Sequence, residues 1–115
     1  MPLEPRLATH MVVTALIRQF SAMGDFATVL HKGDPIAGVL LLVSRVKGRN
    51  PVLFEQFPGA NDTRSWQPIF DQDMDNEQKI SDYLERRIVQ DCDIWVLELD
   101  VAFAERLDGL LTSKG

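Results

Sequence analysis

The first legible pattern in the chain is helical. Met11, Val12, Val13, Leu16, Ile17, Phe20 and Met23 cover most of one surface, while His10, Thr14, Arg18, Ser21 and Asp25 gather in a narrow polar stripe. Thr9 is placed to cap this helix, which is expected to run to about Met23, and Gly24 stands where a left-handed terminating residue is wanted. An apolar surface this broad predicts a helix more than half buried. If a sheet covers only one side of it, the remainder is a natural subunit contact.

After Gly24 the period shortens. Phe26 to Lys32 reads as a strand, the sequence Gly33-Asp34-Pro35-Ile36-Ala37-Gly38 as a turn, and Val39 to Val46 as a second strand. The run Val39-Leu40-Leu41-Leu42-Val43 does not alternate, which predicts a central strand covered on both faces. Lys47-Gly48-Arg49-Asn50 makes a polar reversal into Val52 to Phe57, and these three strands are expected to form a meander. Turn residues from Pro58 to Asp62 lead to Arg64–Phe70, where Pro68 requires an edge or a bulge. From Asp75 to about Val89 the spacing of Ile80, Tyr83, Leu84 and Ile88 predicts a helix, with Asp75 and Gln78 resembling a capping box and Glu85, Arg86 and Gln90 facing water. Ile94 to Leu99 is the last strand, and Val101 to Leu111 can form a short helix through Phe103, Leu107 and Leu110.

The order is therefore α-β-β-β-β-α-β(-α). Hairpin-length connections predict an α+β fold, an antiparallel sheet of about five strands with two or three helices packed on it. No repeat or linker divides the chain, so residues 1–115 are expected to form one domain with loose ends at 1–5 and 112–115.

Composition narrows the class. The chain has 115 residues, 45% hydrophobic and 25% charged, enough to bury a core without staples. Cys92 is the sole cysteine, which excludes an internal disulfide and any multi-thiolate site. The N-terminal residues MPLEPRLATH lack the apolar stretch of a signal peptide, and no apolar run is long enough to span a bilayer, so a cytoplasmic protein with no membrane partner is expected. Net charge is −5 and the basic residues are scattered, which disfavours nucleic acid; Lys32, Arg45, Lys47 and Arg49 around the hairpins are the residues such binding would use.

Several motifs invite chemistry and fall short of it. The run from Asp71 to Glu77 resembles the start of a calcium loop, but Asn76 replaces the turn glycine and Asp82 the bidentate glutamate. Gly33 to Gly38 lacks the lysine, the hydroxyl residue and the following helix of a phosphate-binding loop. His10 and His31 have no second ligand at metal spacing, and no serine sits in a nucleophile elbow. Cys92 lies between two acids, which oppose a thiolate. Neither a metal nor a cofactor is implied. Trp66 and Arg64 share one face of a strand, an arrangement suited to core packing or to a surface anchor.

The combination of residues resembles a family. An arginine and threonine ahead of an apolar helix, Gly33-Asp34-Pro35 with Ala37-Gly38 entering an aliphatic strand, Arg64 with Trp66, and Asp91, Asp93, Ile94-Trp95-Val96 and Glu98 together look like an uncharacterised bacterial family, domain of unknown function fourteen ninety-one. The likeness runs from about Arg6 to Asp100, and Cys92 stands where members commonly have proline. The resemblance implies a small bacterial domain without an established activity.

Two functions compete at this stage. The first is a non-enzymatic protein-interaction or regulatory module, expected to be a homodimer or to bind a protein partner through the first helix or a sheet edge near Trp66. The second is a small enzyme or ligand-binding domain gathering Asp34, Arg64, Asp93 and Glu98. The candidate surface is accordingly Asp34, Arg64, Trp66, Asp93 and Glu98.

Overall fold

The computed structural model describes residues 8–58, 64–69 and 77–111. The expected loose ends, the calcium-like residues 71–76, and Asp75 of the capping box lie outside these residues. Eight elements follow in order: α1 (Thr9–Ala22), β1 (Phe26–His31), β2 (Leu40–Val46), β3 (Arg49–Pro58), β4 (Arg64–Pro68), α2 (Glu77–Gln90), β5 (Trp95–Val101) and α3 (Glu105–Leu111).

The element order matches the sequence pattern, and the pairing corrects it. The sheet is mixed, with strand order β1-β5-β2-β3-β4. β5 enters between β1 and β2, pairing antiparallel to β1 and parallel to β2, so β1 and β2 do not form the first hairpin of a meander. The physical reason is burial. β5 carries Trp95, Leu97, Leu99 and Val101 on one face and Ile94 and Val96 toward the other, all buried, and only an interior position covers both. β2 is the second doubly covered strand, as its unbroken aliphatic run predicted.

Two cores result. On one face α1 contributes Val13, Leu16 and Phe20, and α3 contributes Leu107, against Leu40, Leu42, Phe54, Trp66, Trp95, Leu97, Leu99 and Val101. On the other, α2 lays Ile80, Tyr83, Leu84 and Ile88 over Leu41, Val43, Leu53, Ile94 and Val96. This burial matches the three-and-four spacing of α2. α1 is less covered than expected: Thr9, Val13, Leu16 and Phe20 are buried, Val12 and Ile17 partly so, and the other eight residues of the helix are exposed.

Local chemistry explains the ends. Lys47 and Gly48 both have positive φ, 53° and 74°, and join Val46 to its partner Arg49 in a two-residue turn of the type that suits strand twist. α1 closes with Gly24 at φ 88°, its N–H on the Ser21 carbonyl and that of Asp25 on the Phe20 carbonyl, a Schellman arrangement. Its start departs from expectation. Ala8 occupies the capping position without a side-chain cap, and the Thr9 and His10 N–H groups donate to the Ile36 and Pro35 carbonyls. β4 is an edge strand, which accommodates Pro68.

Candidate interaction surface

Asp34, Asp91, Asp93 and Trp95 meet where the β1–β2 connection crosses the beginning of β5. This segment is a crossing loop and not a hairpin turn. The Asp34 N–H donates to the Asp93 carbonyl at 2.9 Å, the Trp95 N–H to the Val39 carbonyl at 2.7 Å, and the Trp95 Nε1–H to the Asp34 carbonyl at 2.7 Å. The Asp34 carboxylate turns inward on its own loop and accepts the Ala37 N–H at 2.8 Å. Thr9 adds a hydroxyl bond to the Gly38 carbonyl at 2.7 Å, so the loop is tied at once to α1 and β5. Asp91 accepts the Asp93 N–H at 3.0 Å and shapes the turn into the strand. The His31 ring completes the junction by donating from Nδ1 to the Ile94 carbonyl at 2.8 Å, since a carbonyl can only accept. Of the candidate residues, Asp34 and Asp93 are thus brought together, but through their backbones; the Asp93 carboxylate remains exposed.

Glu98 serves a different cluster. It lies three residues beyond Trp95, about 10 Å along the strand, and accepts the Arg45 Nε–H at 2.8 Å. Arg45 also grips Glu77, the first residue of α2, through both terminal nitrogens at 2.7 and 3.0 Å. The Glu77 hydrogen bonds, partly opposed by burial and reinforced by Glu98, push the Arg45 guanidinium above its ordinary value, and the same contact lowers the Glu77 carboxyl. The cluster pins the N-terminus of α2 to the sheet. Arg45 is therefore committed to two carboxylates. Asp100 similarly accepts the Gly48 N–H at 2.8 Å and holds the β2–β3 turn.

Trp66 is in the core at 8% exposure, on the α1 face opposite Gln56 of β3. Arg64 begins β4, and its side chain lies outside the described residues. Among the described residues no three His, Cys, Asp or Glu side chains form a metal-binding group.

Two features escaped the sequence. Asp25, read as part of the polar stripe of α1, is only 6% exposed. Its Oδ1 accepts the Ala102 N–H at 3.1 Å and the Arg106 guanidinium at 2.6 Å, joining the end of α1 to the approach of α3, and its Oδ2 is buried without a partner. Burial alone would raise this carboxyl, but the Arg106 and Ala102 hydrogen bonds and the Arg106 charge outweigh it and hold the group below its usual range. The second feature is the β1 edge. Phe26 is 71% exposed, and Val29 and Leu30 are exposed beside it. Seven of the nine large hydrophobic residues exposed among the described residues lie in the stretch Met11–Val39. The signal was present in the sequence: Phe26 to His31 contains neither a charge nor a proline, the residues that ordinarily protect an edge.

The architecture defines a small α+β domain with a five-stranded mixed sheet between helices, in which Asp34, Asp91, Asp93 and Trp95 secure one loop crossing. The chain belongs to the family described as Protein of unknown function (DUF1491), whose model matches residues 7–108. A crystal structure of a family member from Caulobacter crescentus CB15 is similar at 34% identity over 84% of this chain and 90% of that one, with a TM-score of 0.72. An NMR structure of a DUF1491 family protein from the same organism gives 33% identity, coverage of 83% and 86%, and a TM-score of 0.70. The solution structure of a protein from A. tumefaciens gives 29%, 93% of both chains, and 0.73. No curated protein matches the chain. No helix among the described residues is long and apolar enough to cross a membrane.

Proposed function

We propose that this domain is a non-enzymatic protein-interaction module whose binding surface is the β1 edge with its flanking apolar side chains. The supporting observation is the exposure of Phe26, Val29 and Leu30 on an uncharged edge strand, a combination that monomeric surfaces avoid. Asp34, Asp93 and Glu98 hold the frame behind that surface: the first two fix the loop crossing at one end of β5, and Glu98 anchors α2 through Arg45. The compartment in this reading is the cytoplasm, in keeping with a lone, exposed, unpaired cysteine.

The test is a photo-crosslinking residue introduced at Leu30 in the full chain inside the source cell, compared with the same residue at exposed Gln67 on the opposite edge. Discrete protein adducts from position 30, reduced by Phe26→Glu, are expected. Adducts from position 67 with none from position 30 would place the surface elsewhere.

A further inference from the structure

The β1 strand is close to self-complementary. On the register with β5, Ala27 and Val29 point to the α1 side and Phe26 and Thr28 to the other. Directly opposed residues of an antiparallel pair share a face, so a strand that pairs with its own copy about an axis normal to the sheet must match residues of like parity. Centring the axis on Thr28 sets Ala27 against Val29 of the other copy, apolar against apolar, within the Phe26–Val29 segment of regular register. Centring it on Ala27, the other inner position of that segment, sets Phe26 against Thr28, which mixes the classes.

Resting on the interaction-module reading, we infer that the partner at this edge is a second copy of the chain, paired β1 to β1 about a two-fold axis at Thr28. The result is a ten-stranded sheet with both α1 helices on the same face. The exposed apolar side chains of β1 itself, Phe26, Val29 and Leu30, contribute to such a contact. The unpaired backbone of β1 adds to this. The strand's bulge falls between Val29 and His31, beyond the Phe26–Val29 segment that follows a regular register. Backbone pairing therefore centres on the regular segment, with Leu30 contributing its side chain at the rim.

The test is a disulfide across the axis. Thr28 is exposed, and opposed Cα atoms about 4.5–5.5 Å apart lie within the roughly 4.4–6.8 Å that a disulfide spans. Thr28→Cys in a Cys92→Ser background is expected to form a covalent species of twice the chain mass under mild oxidation, while Gln67→Cys in the same background does not. In sedimentation, the otherwise unaltered chain is expected to be dimeric, and Phe26→Glu with Leu30→Glu, both solvent-facing and compatible with a folded monomer by circular dichroism, is expected to weaken the dimer about a hundredfold. A folded monomer at every concentration, with no Thr28→Cys dimer, overturns self-pairing. If crosslinks from position 30 then capture a different protein, the module reading stands and its partner is heterologous; if they capture nothing, both fall.

Discussion

Replacing Gly33 with alanine tests the loop crossing most directly. A Cβ built there would sit 2.0 Å from the Asp93 carbonyl oxygen and 2.5 Å from the carbonyl carbons of Asp93 and Ile94, all of them backbone. No side-chain rotation relieves such contacts, so loop and strand must separate by more than an ångström. Separation strains the Asp34 N–H bond to the Asp93 carbonyl and the Trp95 Nε1–H bond to Asp34, which share the crossing. Overpacking contributes about 1–3 kcal/mol, and each compromised hydrogen bond about 1 kcal/mol, which places the loss near 4 kcal/mol. For a chain of this size that is a fall in Tm of roughly 15 °C. Gly24→Ala is the matched control: nothing lies within 4 Å of its Cβ, but φ is 88°, so backbone strain alone should cost about 1–2 kcal/mol. Urea unfolding of both variants against the parent checks the order. A Gly33→Ala loss of less than about 1 kcal/mol, or one smaller than that of Gly24→Ala, would refute the tight crossing.

Trp95→Phe keeps an aromatic ring but withdraws the donor to the Asp34 carbonyl, and urea unfolding should show a loss of about 2 kcal/mol. Asp25→Ala leaves the Ala102 N–H without its partner and frees Arg106, for an expected loss of about 2–3 kcal/mol by the same assay. Because the folded Asp25 carboxyl lies below its unfolded value near 4, its contribution is present above that pH and fades as pH falls through the folded value. Asp25→Asn should therefore narrow the stability difference between pH 7 and pH 3. Trp66→Ala removes a buried core ring and should cost about 3–5 kcal/mol in thermal unfolding, whereas a surface anchor would leave stability nearly unchanged.

Local signals were legible because they depend on neighbours in sequence. The aliphatic run of β2, the three-and-four spacing of α2, the left-handed Gly24 and the Lys47-Gly48 turn all record constraints spanning a few residues. Sheet order was not legible, since the insertion of β5 between β1 and β2 depends on competition among distant strands. Short connections favoured a hairpin for Gly33 to Gly38, and nothing local reveals that both glycines make room for the Asp93 carbonyl. Asp25 was misplaced for a related reason: its partners, Ala102 and Arg106, come from the other end of the chain.

The same topology separates the loop crossing from the β1 edge. Asp34, Asp91, Asp93 and Trp95 commit carbonyls, N–H groups or carboxylates to one crossing, which ties the β1–β2 connection to the start of the interior strand β5. With β5 there, β1 becomes an edge strand, paired on one side only. These residues thus act on the β1 edge at one remove, through the crossing that ties the β1–β2 connection to β5. Loosening the crossing should perturb β1 docking before it perturbs the β2–β3–β4 side, and amide exchange in Gly33→Ala should quicken first at β1 and the adjoining backbone of β5. Uniform acceleration across the sheet would show that the crossing and the edge do not form a separate cooperative unit.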